Sequence, residues 1–294
     1  MTAMDFGNFA ENVGLPDEDA AAATRQHCPD LGRLTELAAW LAGAQGVSPP
    51  RPLTQSRLIV FAGDHRLGSQ VSSLPHQSPE SISDATTRRV VAVSGAENGE
   101  DERETVLAAI RLGRSVADEE VDAGTGLLLL ADVGRGATTS AAIIIGLLTS
   151  TDVATVTGRG AGIDDATWMR KATLVRDAMR LARPLLADPV GLLAATDSFV
   201  AAALAGFLLQ SAARRTPVVL DGVLTAAAAL VAQRLAYRGP LWWQAGHLSG
   251  EPAHSPALER LDLRPILDLG INRGGGIGAL LAAEVIVAAA TVCN

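Results

Sequence analysis

The feature that most constrains this chain is a unit that recurs along it: a short apolar run, a loop bearing glycine, then a helix-like stretch rich in alanine and leucine. "SRLIVFAGDH" opens the series, with a strand over Leu58 to Ala62 and Gly63-Asp64-His65 at its carboxyl end. "GLLLLADVGRGATTSAAIIIGLL" gives strand, glycine loop and helix. "DVATVTGRGAGIDDATWMRKATLVRDAMRLA" reads in the same order, with Asp164 or Asp165 near the helix start. "TPVVLDGVLTAAAALVAQRLA" is a fourth unit, "LWWQAGH" a fifth strand, and "PILDLGINRGGGIGALLAAEVIV" the last unit. Buried apolar strands alternating with amphipathic helices predict an α/β fold, a mainly parallel sheet with helices on both faces in a Rossmann-like three-layer arrangement. In such sheets ligands bind beyond the carboxyl ends of the strands, where these loops gather.

Two stretches depart from the pattern. The first thirty residues are acidic and polar and read as a loosely organised arm; "RLTELAAWLAGAQG" then places Leu34, Leu37, Ala38 and Leu41 on one helical face, with Gly43 and Gly46 near its end. Residues 95–126 are highly charged around one modest helix, either a solvated surface segment or a recognition element.

Composition narrows the function classes. The chain of 294 residues is 48% hydrophobic but 3% aromatic, which makes the core aliphatic. A formal net charge of −8, with Lys171 the only lysine, argues against nucleic acid or an anionic membrane as partner. The apolar stretches are interrupted by Gln233, Arg234 and Glu284 and fall short of a membrane span. Cys28 and Cys293 are too few for a disulfide framework and fit a reducing compartment. The start "MTAMDFGNFAENVG" lacks a basic segment followed by an apolar run, and the expected location is the cytoplasm.

The loops supply backbone donors rather than nucleophiles. "DVGRGATTS" presents the N–H groups of Gly134, Gly136 and Ala137, then Thr138, Thr139 and Ser140 at a helix start, a setting that favours an anion such as phosphate. It is neither a Walker A loop nor a GxGxxG fingerprint. "TGRGAGIDD" adds Gly158 and Gly160 around Arg159. Lys171, in the helix that follows, reads either as a phosphate partner or as an ordinary exposed lysine. His247, Glu251 and His254 in "GHLSGEPAHS" suggest a metal, but Pro252 breaks a common helical face and no third histidine is near, so no metal is assigned. No GxSxG elbow points to a hydrolase.

The ordered set "LGRLTELAAWLAGAQG", "VFAGDH", "DVGRGATTSAA", "GRGAGIDD", "PVVLDGVLTAAAALVA", "GHLSGEPAH" and "ILDLGINRGGGIGAL" resembles the nicotinate-nucleotide:dimethylbenzimidazole phosphoribosyltransferases of cobalamin lower-ligand assembly, from about Leu31 to Leu281. The resemblance implies transfer of 5-phosphoribosyl from nicotinate mononucleotide to an aromatic base, without a cofactor. It implies a homodimer, while the departures from the family pattern leave a heterodimer with a paralogue as the alternative. It also implies a sheet core over residues 51–270 and a smaller helical part drawn from an arm and helix at 1–50 and a glycine loop and helix at 271–294. The phosphate and ribose anchor then falls on Gly134, Gly136, Thr138, Thr139, Gly158, Gly160 and Lys171, and the base pocket on Asp64, Ser72, Ser73 and Leu74.

The departures cluster around the same cleft. The family's final loop reads like "LGEGTGA" with its glutamate as general base; alignment through Gly274, Gly276 and Gly278 puts Gly275 there. Asp132 stands where the family has glutamate, Ala137 replaces the asparagine of "GIGNTTS", and Leu74 replaces a tyrosine. Asp197, Ser198 and Val200 stand in place of a glycine pair and a glutamate. The lysine of "KPPGSLGRLE" is missing from "HCPDLGRLTE", and the region before Leu127 looks shortened. Water, Asp132 or Glu251 is then left to take the proton, and a noncatalytic binding protein or partner subunit is the alternative.

Overall fold

In chain order the computed structural model forms α1 (Phe9–Asn12), α2 (Glu18–His27), α3 (Arg33–Gln45), β1 (Ser56–Ala62), α4 (Arg66–Ser69), β2 (Thr86–Ala92), α5 (Glu102–Asp122), β3 (Leu127–Val133), α6 (Ala137–Thr149), α7 (Val153–Val156), α8 (Asp165–Ala182), α9 (Pro189–Ala195) and α10 (Phe199–Ala213). The chain continues through β4 (Val218–Leu220), α11 (Gly222–Leu235), β5 (Trp243–Ala245), α12 (His254–Leu261) and α13 (Ile277–Val292). The structure describes residues 9–69, 71, 86–96, 100–160 and 162–294.

Among the described residues five strands form one sheet in the order β2-β1-β3-β4-β5, and every pairing is parallel. One face carries the larger core, built on Ile59, Phe61, Leu128 and Leu130 with α10 and α11 against it. The other is covered by the chain-end helices: Leu37 and Leu41 of α3 and Ala283 and Ile286 of α13 join Leu58, Val60 and Leu129 in a second core. These are the two covered faces that apolar strands demand.

This strand order places the topological switch between β1 and β3, where an open α/β sheet ordinarily has its binding crevice. Here that crevice is closed. Gly63 N donates to Val133 O at 3.0 Å and His65 N to Arg135 O at 2.9 Å, so the loops after β1 and β3 continue the sheet's hydrogen bonding past its end. A side chain at Gly134 would collide with the Gly63 carbonyl, which is why the close approach needs glycine. The open cleft is displaced to the carboxyl ends of β3, β4 and β5.

Several elements differ from the sequence reading. β2 was not foreseen, because "TTRRVVA" is an edge strand with only Thr86 and Val91 buried and so lacks an apolar run. "DVATV" is the short helix α7 and not a strand: the Asp152 carboxylate accepts the Thr155 N–H at 3.1 Å and caps the turn. The expected last strand is reduced to a bridge between His247 and Leu267, although Ile266 N and Leu267 N still bond Ala245 O and Gly246 O. The amino-terminal arm is ordered helix from Asp17, whose side chain caps α2 and leaves Ala20, Ala21 and Thr24 buried. The charged segment holds the long helix α5, solvated on one face and packed through Gly113 on α10 on the other, so close that a side chain at Gly113 or Gly206 would strike the partner backbone.

Cys28 and Cys293 correct a further expectation: they are bonded to each other, with Cα atoms 5.4 Å apart across a sequence separation of 265. Sequence spacing gave no sign of this, because only the packing of α3 against α13 brings the end of α2 to the end of α13. Among the described residues no helix is long and apolar enough to cross a membrane. Closing so long a loop constrains the unfolded chain. Cys293→Ser, or reduction of the wild type, is therefore expected to lower unfolding free energy by about 2–4 kcal/mol in urea titrations; the variant should not respond to reductant.

Candidate active site

The cleft is lined from the end of β3 by Asp132 and Gly134, from the start of α6 by Ala137 and Thr138, and from the 158–163 turn by Arg159, Gly160 and Ile163. Lys171 from α8, Asp221 and Gly222 after β4, His247, Ser249 and Glu251 after β5, and Asn272 to Gly275 complete it. Its centre is Lys171, which is 1% exposed. The ammonium donates to Thr138 Oγ1 and to the Gly158 carbonyl, both at 2.9 Å. It thereby ties the helix start after β3 to the second glycine loop. Burial pulls the Lys171 pKa down, and the neighbouring Glu251 charge holds it up.

The turn around the ammonium is shaped by Gly160, whose φ of +55° lies in the left-handed region. Its N–H donates to Glu251 Oε1 at 2.8 Å, and Trp168 Nε1 pins Thr157 O at 2.8 Å on the flank. An ammonium, a hydroxyl and the first-turn amides of α6 thus surround one end of the cleft, a setting that favours an anion.

The carboxylates differ sharply in environment. Asp132, half-buried at the end of β3, has no hydrogen-bond partner among the described residues; burial, and then the Asp221 charge, pushes its pKa up to about 7. Asp221 is 1% exposed and accepts from Gly276 N at 2.9 Å and Ala279 N at 3.0 Å, which caps α13 and fixes the glycine loop. Burial pushes the Asp221 pKa up, opposed by His247 and by these amides; His247 Nδ1 lies 3.6 Å from its Oδ1. His254 Nδ1 accepts the Ser249 N–H at 3.0 Å, and burial pulls its pKa down to about 3, so it is neutral. Among the described residues no three His, Cys, Asp or Glu side chains are grouped to hold a metal.

Of the residues singled out in the sequence, Asp132, Gly134, Thr138, Gly160, Lys171, Glu251 and Gly275 meet on this cleft. Gly136, Thr139 and Gly158 stand one layer behind: Gly136 gives room to Gly68, Thr139 is buried beside it, and Gly158 backs the Glu251 carboxylate. Asp64 does not line the cleft. It accepts from Arg135 N at 2.8 Å and pairs with the Arg135 guanidinium, and the Arg135 N–H is the largest influence holding its pKa down. Ser72, Ser73 and Leu74 lie outside the described residues. Lys171 is buried, against the reading of it as an exposed lysine. Asp221 was missed altogether; its signal was a lone Asp-Gly at a strand end, which reads equally as a turn. The left-handed backbone at Gly275, φ +82°, shows that the loop is built for glycine there.

A parallel sheet with glycine loops, a buried ammonium and, at its carboxyl edge, a carboxylate without a hydrogen-bond partner among the described residues defines an α/β protein with a small-molecule cleft that favours an anion. The chain belongs to the phosphoribosyltransferase family whose model matches residues 17–96 and 101–294. Similar curated proteins are the nicotinate-nucleotide–dimethylbenzimidazole phosphoribosyltransferases of Streptomyces avermitilis, 44% identical over 99% of this chain and 91% of the relative, and of Mycobacterium leprae, 42% identical over 94% and 92%. The crystal structure of CobT from Thermus thermophilus superposes with a TM-score of 0.81 at 27% identity, over 94% of this chain and 96% of that one.

Replacing Asp221 leaves two buried amides of α13 without an acceptor. Asp221→Ala is expected to cost about 1–3 kcal/mol in a denaturant titration, and hydrogen exchange should quicken first at residues 274–280.

Proposed function

We propose that this protein transfers 5-phosphoribosyl from nicotinate mononucleotide to dimethylbenzimidazole or a related aromatic base, as the names of its relatives say of them, in the assembly of the cobalamin lower ligand. The single observation that carries the reading is the pairing of an anion cradle around Lys171 with a separate carboxyl, Asp132, poised near neutrality in the same cleft.

The reaction sets three demands. The donor phosphate must be held, and Lys171, Thr138 and the N–H groups near Gly134 are suited to it. The acceptor nitrogen must lie against the anomeric carbon; orientation alone lowers such a barrier substantially. As the new C–N bond forms and nicotinate leaves with the electrons of the old one, the acceptor's other ring N–H becomes acidic and needs a base. Gly275 offers none, and Glu251, one oxygen of which is held by the Gly160 N–H, stands beside Lys171 at the phosphate end of the cleft. Asp132, unpartnered and with a pKa near that of its task, is the base in this reading.

The same reading takes the chain as a homodimer, with residues 1–50 and 271–294 acting together around the 51–270 sheet. The alternative, a homologue that binds nucleotide without turnover or serves an active paralogue as partner subunit, is favoured by the glycine-adapted loop at Gly275. Following α-ribazole phosphate formation from nicotinate mononucleotide and dimethylbenzimidazole separates the two. Turnover is expected, and kcat/KM should fall about tenfold per pH unit below about pH 7, because Asp132 must be ionised to accept the proton. Asp132→Asn should lower kcat by roughly 10²- to 10⁴-fold while leaving donor binding intact. Absence of product, with nucleotide still bound, would move the assignment to the noncatalytic alternative.

A further inference from the structure

Glu251 is not accounted for by the steps above. One oxygen, Oε1, is fixed by the Gly160 N–H at 2.8 Å. The other, Oε2, has no hydrogen-bond donor among the described residues, yet Glu251 lines the cleft beside Lys171. Space for Oε2 is provided by Gly158, where any side chain would collide with it. The backbone behind the carboxylate is also held, since His254 N donates to Glu251 O at 2.9 Å and the His254 ring takes the Ser249 N–H. A carboxylate so fixed, with one oxygen left open toward a ligand cleft, is a hydrogen-bond acceptor awaiting a donor.

The chemistry of that donor follows from the neighbours. A carboxylate repels phosphate, so the phosphate belongs with Lys171 and Thr138, and Glu251 faces what is attached to the phosphate. It accepts hydrogen bonds but has none to give, which excludes the carboxylate of nicotinate as its partner. Within a phosphoribosyl donor the groups next to the phosphate that carry O–H are the sugar hydroxyls.

We propose that Glu251 anchors the donor ribose, with Oε2 accepting a hydrogen bond from a 2′- or 3′-hydroxyl while Oε1 keeps its bond to Gly160. This rests on the phosphoribosyl reading. In consequence one residue couples the two halves of the donor: the carboxylate that holds the sugar also holds the turn that faces its phosphate. The sugar is thereby fixed relative to the phosphate, which sets the face of the anomeric carbon offered to the acceptor.

The test is a chemical cycle on donor binding, measured by isothermal titration without acceptor base. Nicotinate mononucleotide and its 2′-deoxy and 3′-deoxy analogues are titrated into the wild type and Glu251→Gln. Loss of a hydroxyl bonded to a carboxylate should weaken wild-type binding roughly tenfold to a hundredfold for one of the analogues. In Glu251→Gln the same deletion should cost less than about threefold, since the charge-assisted acceptor is already gone. Two results would overturn the assignment: deoxy analogues that bind the wild type as tightly as the parent, or a variant that weakens parent and analogues by the same factor, as a purely structural role would. The wild-type arm needs no variant to fold. Failure of nicotinate mononucleotide itself to bind the wild type would instead defeat the phosphoribosyl reading, and this inference with it.

Discussion

Burial of the chain's only lysine organises the cleft. An ammonium withdrawn from water is tolerated only when its N–H groups meet acceptors and a counter-charge stands close by. Thr138 Oγ1 and the Gly158 carbonyl supply the acceptors, and Glu251 the charge. Those three groups come from the helix start after β3, the glycine turn before α8, and the loop after β5. Satisfying one cation thus brings together loops that are distant in sequence, and the glycines at 158 and 160 are the positions at which the backbone comes close enough for this to happen.

Around that cation the three carboxylates of the cleft are one functional group in three environments. Asp221 is saturated by the amides of the last helix and positions the glycine loop. Glu251 is half saturated and faces the cleft with one oxygen. Asp132 has no hydrogen-bond partner among the described residues, and burial, then the Asp221 charge, pushes its pKa up to about 7. On the proposed function, graded hydrogen bonding separates the structural cap at Asp221 from the ligand anchor proposed at Glu251 and the proton acceptor proposed at Asp132. On that proposal Gly275, with its left-handed backbone, leaves the acceptor role to a different wall of the cleft.

Much of this was legible in the sequence, because parallel strands buried on both faces leave apolar runs that end in glycine. The units at Leu58, Leu127 and Val218 and both glycine loops could be read directly. What escaped depended on contacts between segments. β2 is half exposed and carries arginines; α7 is a capped turn with the composition of a strand; the cystine joins ends brought together only by helix packing. The cleft residues behaved similarly. Glycine, threonine and lysine advertised an anion site, whereas Asp221 gave only a turn-like dipeptide. Asp64, which the resemblance puts in the base pocket, carries an ion pair to Arg135 that spacing does not show. The closure of the crevice between β1 and β3 could not be read from spacing, since it depends on two loops hydrogen bonding to each other.

The central claim is that the cleft recognises a phosphorylated sugar through the buried Lys171. The direct test is calorimetric comparison of nicotinate mononucleotide with nicotinate riboside, which lacks the phosphate, on the wild type and on Lys171→Met. The account predicts that the wild type binds the mononucleotide at least about tenfold more tightly, and that the variant loses most of that preference. Equal affinity of the wild type for both ligands, or a full phosphate preference retained by a folded Lys171→Met protein, would contradict it.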